Sequence, residues 1–81
     1  MKHTARVRTP ADLGLALQQA RLARGLSQSE LAQRLGIPQS RISELENGTY
    51  TAFVRRLLSI ARATDLEITA AWEGNDDAPR G

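Results

Sequence analysis

The chain has 81 residues, 41% of them hydrophobic, with no cysteine and a single histidine, His3. This length allows one small domain that buries only about 60% of its unfolded surface, so we expect marginal stability and support from a partner subunit. Without cysteine there are no disulfides or thiolate metal sites, and one histidine cannot form a cluster, so we expect no metal and no cofactor.

The charge is unevenly distributed along the chain. The formal net charge is +2, but residues 1–62 carry ten Lys and Arg against four acids, a net of +6, while residues 63–81 carry a net of −4. The basic charge of residues 1–62 favours a polyanionic partner. Charges scattered over a solvated surface would give the same net charge. Because the sequence shows no long apolar run and no hydrophobic leader, we expect no membrane span and a cytoplasmic location.

The first elements are an arm and a helix. Residues 1–8 are polar and basic without a clear period, which predicts a flexible basic arm. Thr9 and Pro10 are typical of a helix start, and Gly25 can end a helix in the left-handed conformation. Together they predict a helix over about residues 10–24. Its inward positions at helical spacing are Leu13, Leu17 and Ala20.

Two short helices follow. Ser27 and Glu30 form a capping box, and the helix that they begin ends at Gly36. A third helix is predicted over residues 38–46, closed by Asn47 and Gly48. The apolar contacts of this pair are assigned to Leu31, Leu35, Ile37, Ile42 and Leu45, with the small Ala32 at the crossing of the helices.

A fourth helix is predicted to begin near Thr51. Its inward residues are Val54, Leu57, Leu58 and Ala61, together with Phe53. Residues 9–64 thus form one four-helix domain.

The C-terminal segment changes period. Leu66, Ile68, Ala70 and Trp72 alternate with polar or small residues, which predicts a strand over residues 65–73. A single strand has no mate within the predicted chain, so we expect it to pair with a second copy in a homodimer. A final amphipathic helix is the alternative, and Trp72 can serve either the dimer core or a partner protein. Residues 74–81 are predicted to be a disordered acidic tail, which acts as a solubilising segment or docks a basic partner.

The motif QSELAQRLGIPQSRISELENG, residues 28–48, has the spacing of a helix-turn-helix. At 100° per residue, Ile42 and Leu45 define the buried side of its second helix. The opposite side carries the candidate base-reading residues Gln39, Ser40, Ser43 and Glu44. Glu44 can accept from a cytosine amino group or only repel phosphate. Phosphate contacts are assigned to the start of the first motif helix and to its surroundings, at Gln28, Ser29, Arg41, Thr49, Tyr50 and Arg55.

On these residues the sequence resembles the Cro/lambda-repressor type of helix-turn-helix proteins, the XRE family, over about residues 11–63. The resemblance implies an all-α DNA-binding domain whose second motif helix enters the major groove. It implies base contacts at Gln39, Ser40 and Glu44, and a hydrogen bond between Gln28 and Gln39. It further implies a structural salt bridge between Arg21 and Glu46. Lys2, Arg6 and Arg8 of the arm either enter a minor groove or remain mobile.

The predicted C-terminal strand departs from the family pattern and is similar to that of HipB-type antitoxins. That likeness implies dimerisation through Leu66, Ile68, Ala70 and Trp72, repression of the chain's own operon at an inverted-repeat operator on double-stranded DNA, and binding of a HipA-like kinase toxin. The alternative is a stand-alone phage-type or chromosomal repressor. An interaction adaptor that does not bind DNA is a third interpretation. No catalytic residues are assigned, and we expect no enzyme.

Overall fold

The computed structural model describes residues 1–74. In chain order its elements are β1 (Lys2–Arg6), α1 (Pro10–Ala23), α2 (Gln28–Leu35), α3 (Gln39–Glu46), α4 (Ala52–Ala63) and β2 (Thr69–Glu73). The prediction of a four-helix fold with a C-terminal strand is confirmed. Most of the predicted acidic tail lies outside the described residues. In the described part of the chain, no helix has the length and apolar character needed to cross a bilayer.

The first two helices begin with reciprocal caps. Thr9 Oγ1 accepts from the Asp12 N–H at 3.2 Å, and Asp12 Oδ2 accepts from the N–H groups of Arg8 and Thr9 at 3.0 and 3.1 Å. The Arg8 N–H is the main reason that the pKa of the Asp12 carboxyl is lowered. Ser27 and Glu30 make the same exchange at the start of α2. Both helix starts are therefore fixed by local sequence.

The core of the described chain is small and built mainly from short side chains. α1 and α2 place Ala16 and Ala32 in it, α3 adds Ile42, and α4 adds Leu58 and Ala61, all at most 5% exposed. Small residues at these positions let the four helices approach closely.

Several residues that we predicted to point inward are exposed. The exposed fractions are 42% for Leu17, 59% for Leu35, 50% for Leu57 and 73% for Phe53. On α4 the covered face is centred on Leu58 and Ala61, and the helical period places Phe53, Leu57 and Ile60 together on the adjacent stripe. The chain has no element to cover that stripe within the described residues.

The N-terminal segment forms a strand, so the predicted flexible arm is wrong for its first residues. β1 and β2 pair antiparallel in a register from Lys2 opposite Glu73 to Arg6 opposite Thr69. The Val7 N–H donates to the Ile68 carbonyl at 2.8 Å and extends the ladder, and Val7 is 3% exposed. β2 thus has a mate in its own chain, which the prediction of an unpaired strand did not foresee.

The two faces of the sheet differ in character. His3 and Trp72 lie opposite each other and stack, with ring centroids 5.8 Å apart and planes inclined by 23°. On the other face Arg6 Nε donates to Glu67 at 2.7 Å. Arg62 of α4 donates to the Arg8 carbonyl and ties the N-terminal segment to the helical body. These contacts make residues 1–8 part of the fold.

Candidate nucleic-acid interface

α2 and α3 are joined by a tight turn. Gly36 ends α2 with φ of 67°, the left-handed conformation that glycine adopts without steric cost. The N–H of Ile37 donates to the Ala32 carbonyl at 3.1 Å and closes the turn. With Ala32 and Ile42 each 4% exposed, the two helices are held in one fixed orientation.

A buried ion pair joins α1 to the end of α3. Arg21 Nε and Nη2 donate to the two carboxylate oxygens of Glu46 at 2.6 and 3.0 Å, and Arg21 Nη1 donates to the Leu26 carbonyl at 2.7 Å. The two side chains are 8% and 4% exposed. This bidentate bond is the main reason that the pKa of the Glu46 carboxyl is lowered and that of the Arg21 guanidinium raised. Both groups therefore stay charged inside the fold.

The ion pair continues to the surface through two glutamines. Gln28 Nε2 donates to Glu46 Oε1 at 3.1 Å, and Gln39 Nε2 donates to Gln28 Oε1 at 3.5 Å. The structure therefore brings together Arg21 with Glu46 and Gln28 with Gln39, the two pairs that the resemblance implied. We name Arg21, Glu46, Gln28 and Gln39 the polar chain.

The base-reading candidates lie on the outer side of α3. Gln39, Ser40 and Glu44 are exposed, whereas Ser43 is half-buried at the edge of the face. Arg41 Nη1 lies 3.5 Å from Glu44 Oε2, one helical turn away. The outer side of α3 therefore presents amide, hydroxyl, carboxylate and guanidinium groups to a partner.

The six phosphate candidates do not share one environment. Ser29, Arg41, Thr49 and Arg55 are exposed and Gln28 is half-buried. The Glu30 N–H at the start of α2 donates to Ser27, whereas those of Gln28 and Ser29 have no acceptor within their own helix and can bind an anion. Arg55 Nη1 donates to the Tyr50 carbonyl at 3.0 Å. Tyr50 is only 8% exposed and its hydroxyl donates to the Leu45 carbonyl at 2.7 Å, which commits its one proton internally.

The four dimerisation candidates are also divided. Ala70 and Trp72 are half-buried and lie on one face of β2, which begins at Thr69 rather than at residue 65. Ile68 directly precedes the strand and is half-buried, and Leu66 is 63% exposed. The sequence analysis did not identify Gly14, whose backbone lies against Glu46. A single glycine within a helical pattern indicates only a less stable helix at that position.

The short paired helices, the glycine turn and the exposed polar second helix define a helix-turn-helix domain. A family model described as Helix-turn-helix matches residues 17–70. The chain belongs to the XRE-type helix-turn-helix family.

Relatives of two kinds are similar to the chain. The HTH-type transcriptional regulator y4dL of Sinorhizobium fredii is 47% identical over 55 residues, which are 68% of this chain and 28% of the regulator. Antitoxin HipB of Escherichia coli K12 is 31% identical over 64 residues, which are 79% of this chain and 73% of HipB. No solved structure gives a significant match.

Proposed function

We propose that the chain is a sequence-specific DNA-binding transcriptional regulator that places α3 in the major groove. The observation that carries this proposal is the polar chain, which holds Gln39 at the exposed start of α3 from a buried ion pair. A side chain directed in this way has fewer rotamers to lose on binding, which favours a base-reading role. Membership of a family of DNA-binding regulators supports the same function.

The roles of the reading residues follow from their chemistry. The Gln39 amide can donate to adenine N7 and accept from adenine N6, and the Ser40 hydroxyl can meet either kind of partner. Glu44 can accept from a cytosine amino group, and the nearby Arg41 offsets the repulsion between its carboxylate and the phosphates. Ser43, at the edge of the face, contributes to the same surface.

Phosphate contacts position the domain without reading sequence. The start of α2, with Gln28 and Ser29, and the exposed side chains of Arg41, Thr49 and Arg55 are assigned to this role. Tyr50 is not assigned a phosphate contact, because its hydroxyl proton is used in the hydrogen bond to the Leu45 carbonyl.

Binding to duplex DNA as a function of salt tests this function. The logarithm of the association constant should fall linearly with the logarithm of the salt concentration. Arg41→Ala should reduce that slope, whereas Arg34→Ala, in the last turn of α2 and away from its first turn, should not. Salt-insensitive binding would instead favour an interaction adaptor that does not act on DNA.

The substitution Gln39→Ala tests base reading. We expect it to cost about 1–3 kcal/mol on the preferred duplex and to relax one position in each half-site. An equal loss on all sequences would contradict a base-reading role for Gln39.

We further propose that the regulator acts as a homodimeric repressor on inverted half-sites about 34 Å apart. Two features support dimerisation. Phe53, Leu57 and Ile60 form an exposed apolar stripe on α4, and one edge of β2 lies away from β1. Since Val7 and Ile68 are a hydrogen-bonded pair, alternation along the ladder directs the N–H groups of Thr69, Ala71 and Glu73 to that outer edge.

Sedimentation of the Ala71→Pro variant tests pairing between copies. Proline removes an outward N–H and leaves the bonds to β1 in place, so the variant should dissociate to monomers. Ala71→Thr, which keeps the N–H, is the matched control. A proline variant that remains as dimeric as the control would exclude edge pairing.

A finer proposal is that the chain is the antitoxin of a HipBA-like module, which represses its own operon and binds a kinase toxin. HipB supports it, because the match covers 73% of that antitoxin. A kinase-like reading frame beside the gene, whose toxicity the chain suppresses on co-expression, is the expected result. Sequence-specific operator binding without any such neighbour would favour the stand-alone repressor.

A further inference from the structure

The hydrogen bonds of the polar chain run in one direction, because Gln39 donates to Gln28 and Gln28 donates to Glu46. Ionised Glu46 only accepts hydrogen bonds, and two Arg21 nitrogens already donate to its oxygens. Its side chain is 4% exposed, so little solvent is available to satisfy a neighbour that turns the wrong way. Any amide that contacts Glu46 must therefore present its NH₂ group.

Gln28 is the amide in that position. Its Nε2 lies 3.1 Å from Glu46 Oε1, and a rotated amide would set an oxygen against the carboxylate with no proton between them. With NH₂ turned to Glu46, the Gln28 oxygen faces α3. This oxygen accepts from Gln39 Nε2 at 3.5 Å.

The same direction reaches the surface at Gln39. One N–H of its amide is directed to Gln28, which leaves its second N–H and its oxygen for a base. One donor beside one acceptor matches the N7 and N6 groups of adenine. Guanine presents two acceptors, O6 and N7, and would require two donors.

We propose that Glu46 is a positioning residue for base recognition: it sets the direction of the Gln28–Gln39 hydrogen bond and so makes Gln39 prefer adenine over guanine. This inference rests on the proposed DNA-binding function and deepens it. Glu46 touches no base and acts through Gln28.

The substitution Glu46→Gln tests the direction of the chain. A glutamine at this position can keep its oxygen on Arg21 and turn its NH₂ group toward Gln28. Gln28 would then rotate and present NH₂ to Gln39, whose oxygen would accept it and whose two N–H groups would face the DNA. We expect the ratio of adenine to guanine binding at the Gln39-dependent position to fall by at least about fivefold.

The experiment selects bound sequences from a randomised duplex library with the full chain, then measures competition between duplexes that differ at one base pair. The position read by Gln39 is the one that Gln39→Ala relaxes. Circular dichroism establishes whether Glu46→Gln is folded. If Glu46→Gln is not folded, the Gln28→Met variant tests the inference instead. It interrupts the polar chain and leaves the Arg21–Glu46 pair intact. Gln28→Met should also lower the adenine preference, beyond any uniform loss of affinity.

Ser29→Ala is the control for phosphate contacts, since it should weaken binding and leave the base ratio unchanged. An unaltered ratio in a folded Glu46→Gln variant, or in Gln28→Met where the former is unfolded, would overturn the inference and leave the proposed function standing. A wild-type preference other than adenine at this position would overturn it as well. Failure of the wild-type chain to select any sequence would overturn the proposed function itself.

Discussion

Gly14 in the middle of α1 lies directly against the backbone of Glu46 at the end of α3. A Cβ atom at position 14 would lie 2.3 Å from the Glu46 carbonyl oxygen and 2.9 Å from the Gly48 nitrogen. Because both neighbours are backbone atoms, neither can move aside by a change of rotamer. This contact and the ion pair between Arg21 and Glu46 together fix the end of α3 on α1.

Gly14→Ala should destabilise the fold. The overlap with the Glu46 backbone should cost about 1–3 kcal/mol, more than the gain of up to about 1 kcal/mol from replacing a helical glycine. Chemical denaturation followed by circular dichroism measures the difference. Gln19→Ala, at an exposed position of the same helix, is the control and should change stability little. A Gly14→Ala variant more stable than wild type would show that α1 and α3 separate easily.

The stability should depend on pH through Glu46. Arg21 holds the pKa of this carboxyl below its usual range, so the unfolded chain takes up a proton there before the folded chain does. The stabilisation is therefore complete above the ordinary carboxyl range and is lost as the pH falls toward the folded-state pKa. Urea unfolding from about pH 7 to about pH 3 should show this decline.

Glu46→Gln provides the comparison for that pH series. It should be less stable than wild type near neutral pH, by up to about 3–5 kcal/mol, because Arg21 loses its charged partner. The difference should shrink in acid, as first the unfolded and then the folded wild-type chain takes up a proton at Glu46. A difference that stays constant with pH would rule out Glu46 as the titrating group.

Substitutions of Tyr50 and of its neighbour Thr49 should have different effects, the first on stability and the second on DNA binding. Tyr50→Phe removes the donor to the carbonyl of the half-buried Leu45 and should cost about 1 kcal/mol of stability, with DNA binding unchanged once folding is corrected for. Thr49→Ala, at an exposed position, should weaken DNA binding and leave the unfolding midpoint in place. Weaker DNA binding by a fully stable Tyr50→Phe variant would restore Tyr50 as a phosphate contact.

Val7→Ala tests whether the N-terminal segment is part of the fold. The side chain is 3% exposed, and removal of its two methyl groups with retention of Cβ should cost about 1–2 kcal/mol. Thr4→Ala, on the exposed side of β1, should cost less. Equal and negligible effects would indicate a detached N-terminal segment in solution.

The helical body could be predicted because its signals are local. Thr9 with Asp12 and Ser27 with Glu30 are caps that act within one turn, and Gly36 ends α2 through its own backbone conformation. The same periodicity that locates α4 does not say how much of its apolar surface is covered. Leu58 is buried while Phe53 is exposed, since coverage depends on elements from elsewhere in the chain.

The N-terminal strand could not be predicted with the same rules. Residues 2–6 contain one half-buried residue, Ala5, so their alternation carries almost no hydrophobic contrast. The available signal was the weak period of two formed by His3, Ala5 and Val7. The place of Gly14 against Glu46 depends on two helices far apart in sequence, which no single-helix pattern contains.

The pairing of β1 with β2 has a consequence for the order of folding. These strands join the two ends of the described chain, so their contacts close nearly the longest possible loop and carry the highest closure entropy. The helices form contacts at short range and should assemble first, with the sheet closing after the rate-limiting step. Substitutions in the sheet should therefore accelerate unfolding and leave the refolding rate nearly unchanged. The pairing of β1 with β2 would then set how long the domain stays folded and not how fast it folds.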